Sequence, residues 1–106
     1  MSIATIEVQP RVKNIEFIHQ TLSVTMEDGR SVMMPLNWYP RLLHASDAER
    51  GIWRIFEDTD DRDIIFWEEL DELIPVVALL TGTPSRESES SLNAWLATRG
   101  QSSAQV

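Results

Sequence analysis

The sequence predicts an α+β domain, a small antiparallel sheet built from hairpins and packed by short helices and a C-terminal helix. Three observations predict it. Leu22 to Met34 alternates apolar and polar residues around an Asp-Gly turn. A second pair of β-branched and aromatic runs, Ile52 to Phe56 and Asp63 to Trp67, flanks a polar turn. Two stretches with helical character follow Pro75. A length of 106 residues suits one domain, and 42% hydrophobic with 25% charged residues is an ordinary globular balance. One domain is expected over residues 1–100, with a Ser-rich connection at 83–91 and a polar tail at 101–106.

Taken in order, Ile3 to Val8 alternates with strand period and is stopped by Pro10. Arg11 to His19 alternates more weakly through Ile15 and Phe17 and reads as a second extended segment. In the hairpin that follows, two loops compete. A two-residue Asp-Gly loop pairs Glu27 with Arg30, whereas a three-residue loop with a left-handed Gly29 pairs Met26 with Arg30 and Val24 with Val32. Only the second puts Leu22, Val24, Val32 and Met34 on one face. A one-residue slip would turn every side chain to the other face, so the pattern selects the bulged register.

Asn37 then reads as the cap of a short helix that tolerates Pro40 in its first turn. Ser46-Asp47-Ala48-Glu49 reads as a capping box, with Gly51 closing that second helical piece. The second hairpin joins the first in one sheet. Pro75 suits a first helical position, and Gly82 with Pro84 suits the stop. The intervening Val76 to Leu80 is apolar all round, which predicts a buried helix. Leu92, Trp95 and Leu96 recur at helical spacing, with Glu87 and Glu89 before them and Arg99 in the last turn, charges that suit the helix dipole.

Composition excludes several classes of function. There is no cysteine, so disulfides, Cys-ligated zinc and thiol catalysis are all out. Four scattered glycines make no phosphate cradle. No apolar run approaches the roughly 20 residues of a membrane span, and the amino terminus lacks a signal-peptide layout. A cytoplasmic protein without membrane contact is therefore expected. The net charge of -8 gives no general attraction to nucleic acid.

The charge is not spread evenly. Glu57 to Glu72 carries nine carboxylates and one arginine, which is the whole acidic excess; the rest of the chain balances, eight acidic residues to eight basic. A solvated, solubilising turn is the ordinary reading of such a run. The functional alternative is a docking surface for a basic partner, carried by Asp58, Asp60, Asp61, Asp63, Glu68 and Glu69. A calcium loop counted from Asp58 to Glu69 fails, because Arg62 and Asp63 stand where an oxygen ligand and a glycine are needed. His19 and His44 form no ligand pair, no Gly-x-Ser-x-Gly elbow is present, and no catalytic constellation emerges. No cofactor or metal is called for. Trp38 and Tyr39 beside Arg41 form a candidate exposed contact patch, since these residue types favour interface hot spots; core packing is the preferred alternative.

The run Leu22 to Leu80 also resembles a bacterial family, domain of unknown function 2442. The matching pieces are the Asp28-Gly29-Arg30 turn, Tyr39-Pro40-Arg41-Leu42 with Ala45, and Ile65-x-Trp67. Glu69-Leu70-Asp71-Glu72, Leu79-Leu80 and Gly82 continue in order, and Pro84-Ser85 with Ser91-Leu92-x-x-Trp95-Leu96 looks like longer members. Glu68 stands where a proline is usual, and Leu73 and Pro75 replace an acidic residue and a Ser or Thr. The resemblance implies a small α+β domain with an antiparallel sheet and no established enzymatic activity. Some members carry a helix-turn-helix domain, for which no room is expected after Gln101, and some genes neighbour toxin-like partners. It transfers no site residue.

The expected function is thus a non-catalytic binding or regulatory module that acts through a protein partner, antitoxin-like in character, with a homodimer left open. The alternative is an acidic nucleic-acid mimic that inhibits a nuclease, of the phage anti-defence type.

Overall fold

The computed structural model describes residues 10–100. The extended segment expected at Ile3 to Val8 and the tail from Gln101 lie outside the described residues.

Three strands open the fold, β1 (Val12–Ile18), β2 (Thr21–Met26) and β3 (Ser31–Pro35), paired antiparallel in that order. The hairpin takes the bulged register. Val24 faces Val32 and Leu22 faces Met34, and the Met26 N–H donates to the Arg30 carbonyl at 2.7 Å. Gly29 sits at φ 96°, a conformation that a side chain would strain. Asp28 secures the loop by accepting the Arg30 N–H at 3.0 Å. Leu22, Val24, Met26 and Met34 are buried together as the pattern requires. The weak alternation of β1 has a physical cause, a register shift between Val12 and Asn14. This bulge returns Val12 to the face used by Ile15 and Phe17, all three of which pack in the core cluster.

A 3-10 turn at Leu36–Trp38 leads into α1 (Pro40–Leu43), and α2 (Asp47–Arg50) follows. Asn37 does not cap. It lies exposed within the 3-10 turn, and α1 starts behind Tyr39 with Pro40 in its first turn. Pro40 suits that first turn because its ring fixes a helical φ and it has no N–H to leave unsatisfied, and no side chain caps the helix. The capping box forms as read, with Ser46 Oγ accepting the Glu49 N–H at 3.1 Å and Glu49 Oε1 accepting the Ser46 N–H at 2.9 Å.

The second hairpin, β4 (Arg54–Glu57) and β5 (Asp63–Trp67), does not extend the first sheet. It gains a third strand, β6 (Glu72–Pro75), and forms a separate three-stranded antiparallel sheet in the order β4-β5-β6. Pro75 therefore ends a strand and stands as the N-cap of the next helix, one position before its first helical residue. Ahead of it Asp71 turns the chain at φ 51° after a 3-10 turn at Glu68–Leu70. The next helix, α3 (Val76–Thr81), is buried only at Val76 and Leu79 and leaves Leu80 41% exposed, so an all-apolar sequence did not mean burial on every side. Gly82 at φ 72° ends it, and the Thr83 N–H reaches back to the Ala78 carbonyl at 2.8 Å, closing a Schellman turn.

The sheets share one core. Trp67 is fully buried and meets Phe17 edge-on at 6.2 Å between ring centres, while its Nε1 donates to the Arg50 carbonyl at 3.0 Å. Ile65, Ile74, Leu36 and Leu42 surround it in the same cluster. The last helix, α4 (Glu89–Thr98), is capped by Ser88, whose side chain accepts the Ser91 N–H. It buries Leu96 to 2% exposure and lays Trp95 against the core. Arg99 then anchors its end through two hydrogen bonds to Glu49, at 2.8 and 2.7 Å. Those bonds and the Ser46 N–H hold the Glu49 carboxyl well below its usual range, at about 2.

Candidate functional site

The acids of the segment are not all free at the surface. Asp63 lies 5% exposed and accepts from Arg11 Nη1 at 2.9 Å and from the Val12 N–H at 2.8 Å, tying the start of β1 to β5. Glu57 takes the same guanidinium at 2.6 Å. Asp58 caps its own turn, accepting the N–H of Arg62 at 3.0 Å and of Asp60 at 2.8 Å, which holds its carboxyl below the usual range. Asp60 pairs with Arg62, and Asp61 is exposed at φ 59°. Glu68 stands in solvent 3.6 Å from Arg54, and Glu69 is exposed. Several of the acids expected to dock a partner are therefore engaged in holding the fold, Asp63 most of all.

The aromatic patch also resolves into packing. Tyr39 is 2% exposed, and its hydroxyl donates to the Thr83 carbonyl at 3.1 Å. Trp38 is half-buried on the core, and its carbonyl accepts the Ser85 N–H at 3.0 Å. Arg41 is drawn inward. Its Nε and Nη2 bond Glu87 at 2.9 and 2.7 Å, and its Nη1 donates to the Leu70 carbonyl at 3.0 Å. Its guanidinium carbon lies 5.1 Å from the Trp95 ring centre, and that of Arg99 lies 4.5 Å away. These three residues hold the Ser-rich connection and α4 on the domain.

Two features that the sequence did not single out remain. The first is Glu72, on β6, which lines two adjoining recesses of about 340 Å³ and about 220 Å³. Among the described residues no hydrogen-bond donor reaches its carboxylate. Burial, with Glu87 and Asp71 opposing the partial relief from Arg41, pushes it up to about 7. Glu87 differs. Burial pushes it up as well, but bonds from Arg41 and Ser91 outweigh that and hold it low. The second feature is the outer face of β4-β5-β6. Ladder partners place Arg54, Phe66 and Leu73 in one row and Phe56, Ile64 and Pro75 in the next. Phe56 is 39% and Leu73 49% exposed, and Phe56 meets Phe66 edge-on at 6.1 Å.

A family model described as a protein of unknown function, DUF2442, matches residues 12–85. The chain belongs to the DUF2442 family. No curated protein and no solved structure matches it. The DUF2442 span runs from the start of β1 to Ser85 and so contains both sheets, Arg41 and Glu72. The acid that neutralises Arg41 and the whole of α4 lie beyond it. In this DUF2442 chain the segment after Ser85 thus supplies the counter-charge for a guanidinium within the family's own region, and leaves Glu72 beside it without one.

Proposed function

We propose that this DUF2442 domain is a non-catalytic protein-binding module of regulatory, antitoxin-like type, which docks its partner on the outer face of β4-β5-β6. The carrying observation is the pattern of β5. Antiparallel strands with one solvated face alternate apolar and polar residues. Here Ile65 and Trp67 fill the core while Ile64 and Phe66, their neighbours on the opposite face, are apolar too. Phe56 and Leu73 extend that outer face into solvent. A contiguous apolar patch rimmed by charge is the usual mark of a protein contact. Arg54, Glu68 and the Asp60–Asp61 turn supply the rim here. The nucleic-acid mimic draws less support, since Asp63, Glu57 and Asp60 are already paired with Arg11 and Arg62. The test is crosslinking mass spectrometry with the full chain and with Phe56→Ser/Leu73→Ser. The variant should fold normally and lose the partner recovered with the native chain. Undiminished recovery would refute this use of the face. A native dimer dissolved by the variant would give the face to a second copy.

A further inference from the structure

The larger recess combines features that match one kind of chemical group. Its walls are largely apolar, with Ile74, Pro75, Ala78 and Pro84 among them, and Glu72 lies in the same lining. At about 340 Å³ it is at the small end of ligand cavities and has room for a long side chain. Glu72 is short of a cation. Arg41, the nearest guanidinium, spends its donors on Glu87 and on the Leu70 carbonyl. The other charges that act on Glu72 are Glu87 and Asp71, both negative, and the neighbouring Tyr39 is held neutral by burial and by Glu72 itself. Arg86 lies exposed in the cavity lining and is not among the charges that act on Glu72. A long apolar stem ending in a cation complements such a site, because lysine and arginine bury their methylenes while the head seeks a charge.

From this geometry we infer that the recess beside β6 receives one arginine or lysine side chain of the protein partner, its stem against Pro75, Ala78 and Pro84 and its head on Glu72. The inference rests on the protein-binding function proposed above. Leu73 and Pro75 belong both to the outer face and to the cavity lining, so one partner can cover the face and insert a basic residue at its edge.

The experiment titrates the isotopically labelled full chain with the blocked tripeptide Gly-Arg-Gly at pH 8, followed by amide chemical shifts. The lysine peptide and the uncharged citrulline peptide are its controls. The arginine and lysine peptides should give saturable shifts at Ile74, Ala78 and Ser85, and citrulline should bind about tenfold more weakly or worse. Glu72→Gln, folded by circular dichroism, should abolish the preference for the cation. Arg86→Gln, which changes a lining residue that does not act on Glu72, should leave binding intact. Lowering the pH from 8 to 6 protonates Glu72, with its proton affinity near 7, and should weaken cation binding. Equal binding of citrulline, or a cation preference surviving in Glu72→Gln, would overturn the inference. These probes do not need the natural partner. Their failure alongside partner loss in Phe56→Ser/Leu73→Ser removes the cavity and keeps the docking face, and the opposite result removes the face alone.

Discussion

Replacing Glu72 with glutamine should stabilise the protein at pH 8 and leave it unchanged at pH 4. The carboxyl moves from 4.5 in the unfolded chain to about 7 in the fold. Between those values the folded state binds the extra proton, so stability falls as pH rises through the window and the penalty is complete above it. The full displacement corresponds to roughly 3 kcal/mol. Glu72 is only part-buried and borders an open recess, so solvent screening leaves about 1–2 kcal/mol of it. Glutamine keeps the shape and removes the charge, and should recover that amount at pH 8. Urea unfolding at pH 4, 6 and 8, followed by far-ultraviolet circular dichroism, measures the difference directly. Glu49, lowered from 4.5 to about 2, costs stability as pH falls below about 5, but it does so equally in both proteins and cancels in the difference. An equal change at all three pH values would mean that glutamine acts through packing. No gain at pH 8 would mean that the Glu72 carboxylate is well solvated or finds a donor in solution, and the reasoning about an unpaired charge would fail.

Three further substitutions test how the acidic segment and the last helix are used. Leu96→Ala should cost about 2–4 kcal/mol in urea unfolding, because its side chain is buried beneath α4; an unchanged midpoint would mean that α4 does not pack on the domain in solution. Asp63→Asn should lower the urea midpoint measurably, because the buried carboxylate that holds Arg11 and the Val12 N–H to β5 loses its charge, whereas Asp61→Asn, exposed in the preceding turn, should stay within about 0.5 kcal/mol in the same assay.

What was legible in the sequence was local. The Gly29 bulge could be read because only one loop length keeps Leu22, Val24, Val32 and Met34 on one face. The Ser46–Glu49 box and the Gly82 stop were legible for the same reason, since each is settled by residues a few positions apart. The strand Glu72–Pro75 was not, because four residues carry too little alternation to stand out before an apolar helix, and its pairing with β5 is set by the sheet. The separation into two sheets was hidden likewise. Which strand neighbours which depends on how the Trp67 and Leu22 faces close on one another, a tertiary outcome. The apolar outer face did leave a signal. Ile64-Ile65-Phe66-Trp67 has no polar position, which a strand with one wet face should have.

Counting charge along the chain located the acidic excess but not the acid with the most to gain from a partner. Acids crowded into a turn attract arginines from their own fold. Arg11 takes Glu57 and Asp63, and Arg62 takes Asp58 and Asp60. What remains exposed there is surrounded by water and salt, which screen it within about 8 Å at physiological ionic strength. Glu72 belongs to the same run of sequence and has the opposite situation. It is withdrawn from water, faced by two further carboxylates, and set beside an arginine already committed to Glu87. A cation brought to Glu72 enters a site of lower dielectric than the exposed turn and finds Arg41 already bound to Glu87, so its attraction should be less weakened by salt than that of the turn. Recognition of a basic residue by this chain should therefore depend on one half-buried carboxylate far more than on the density of charge beside it.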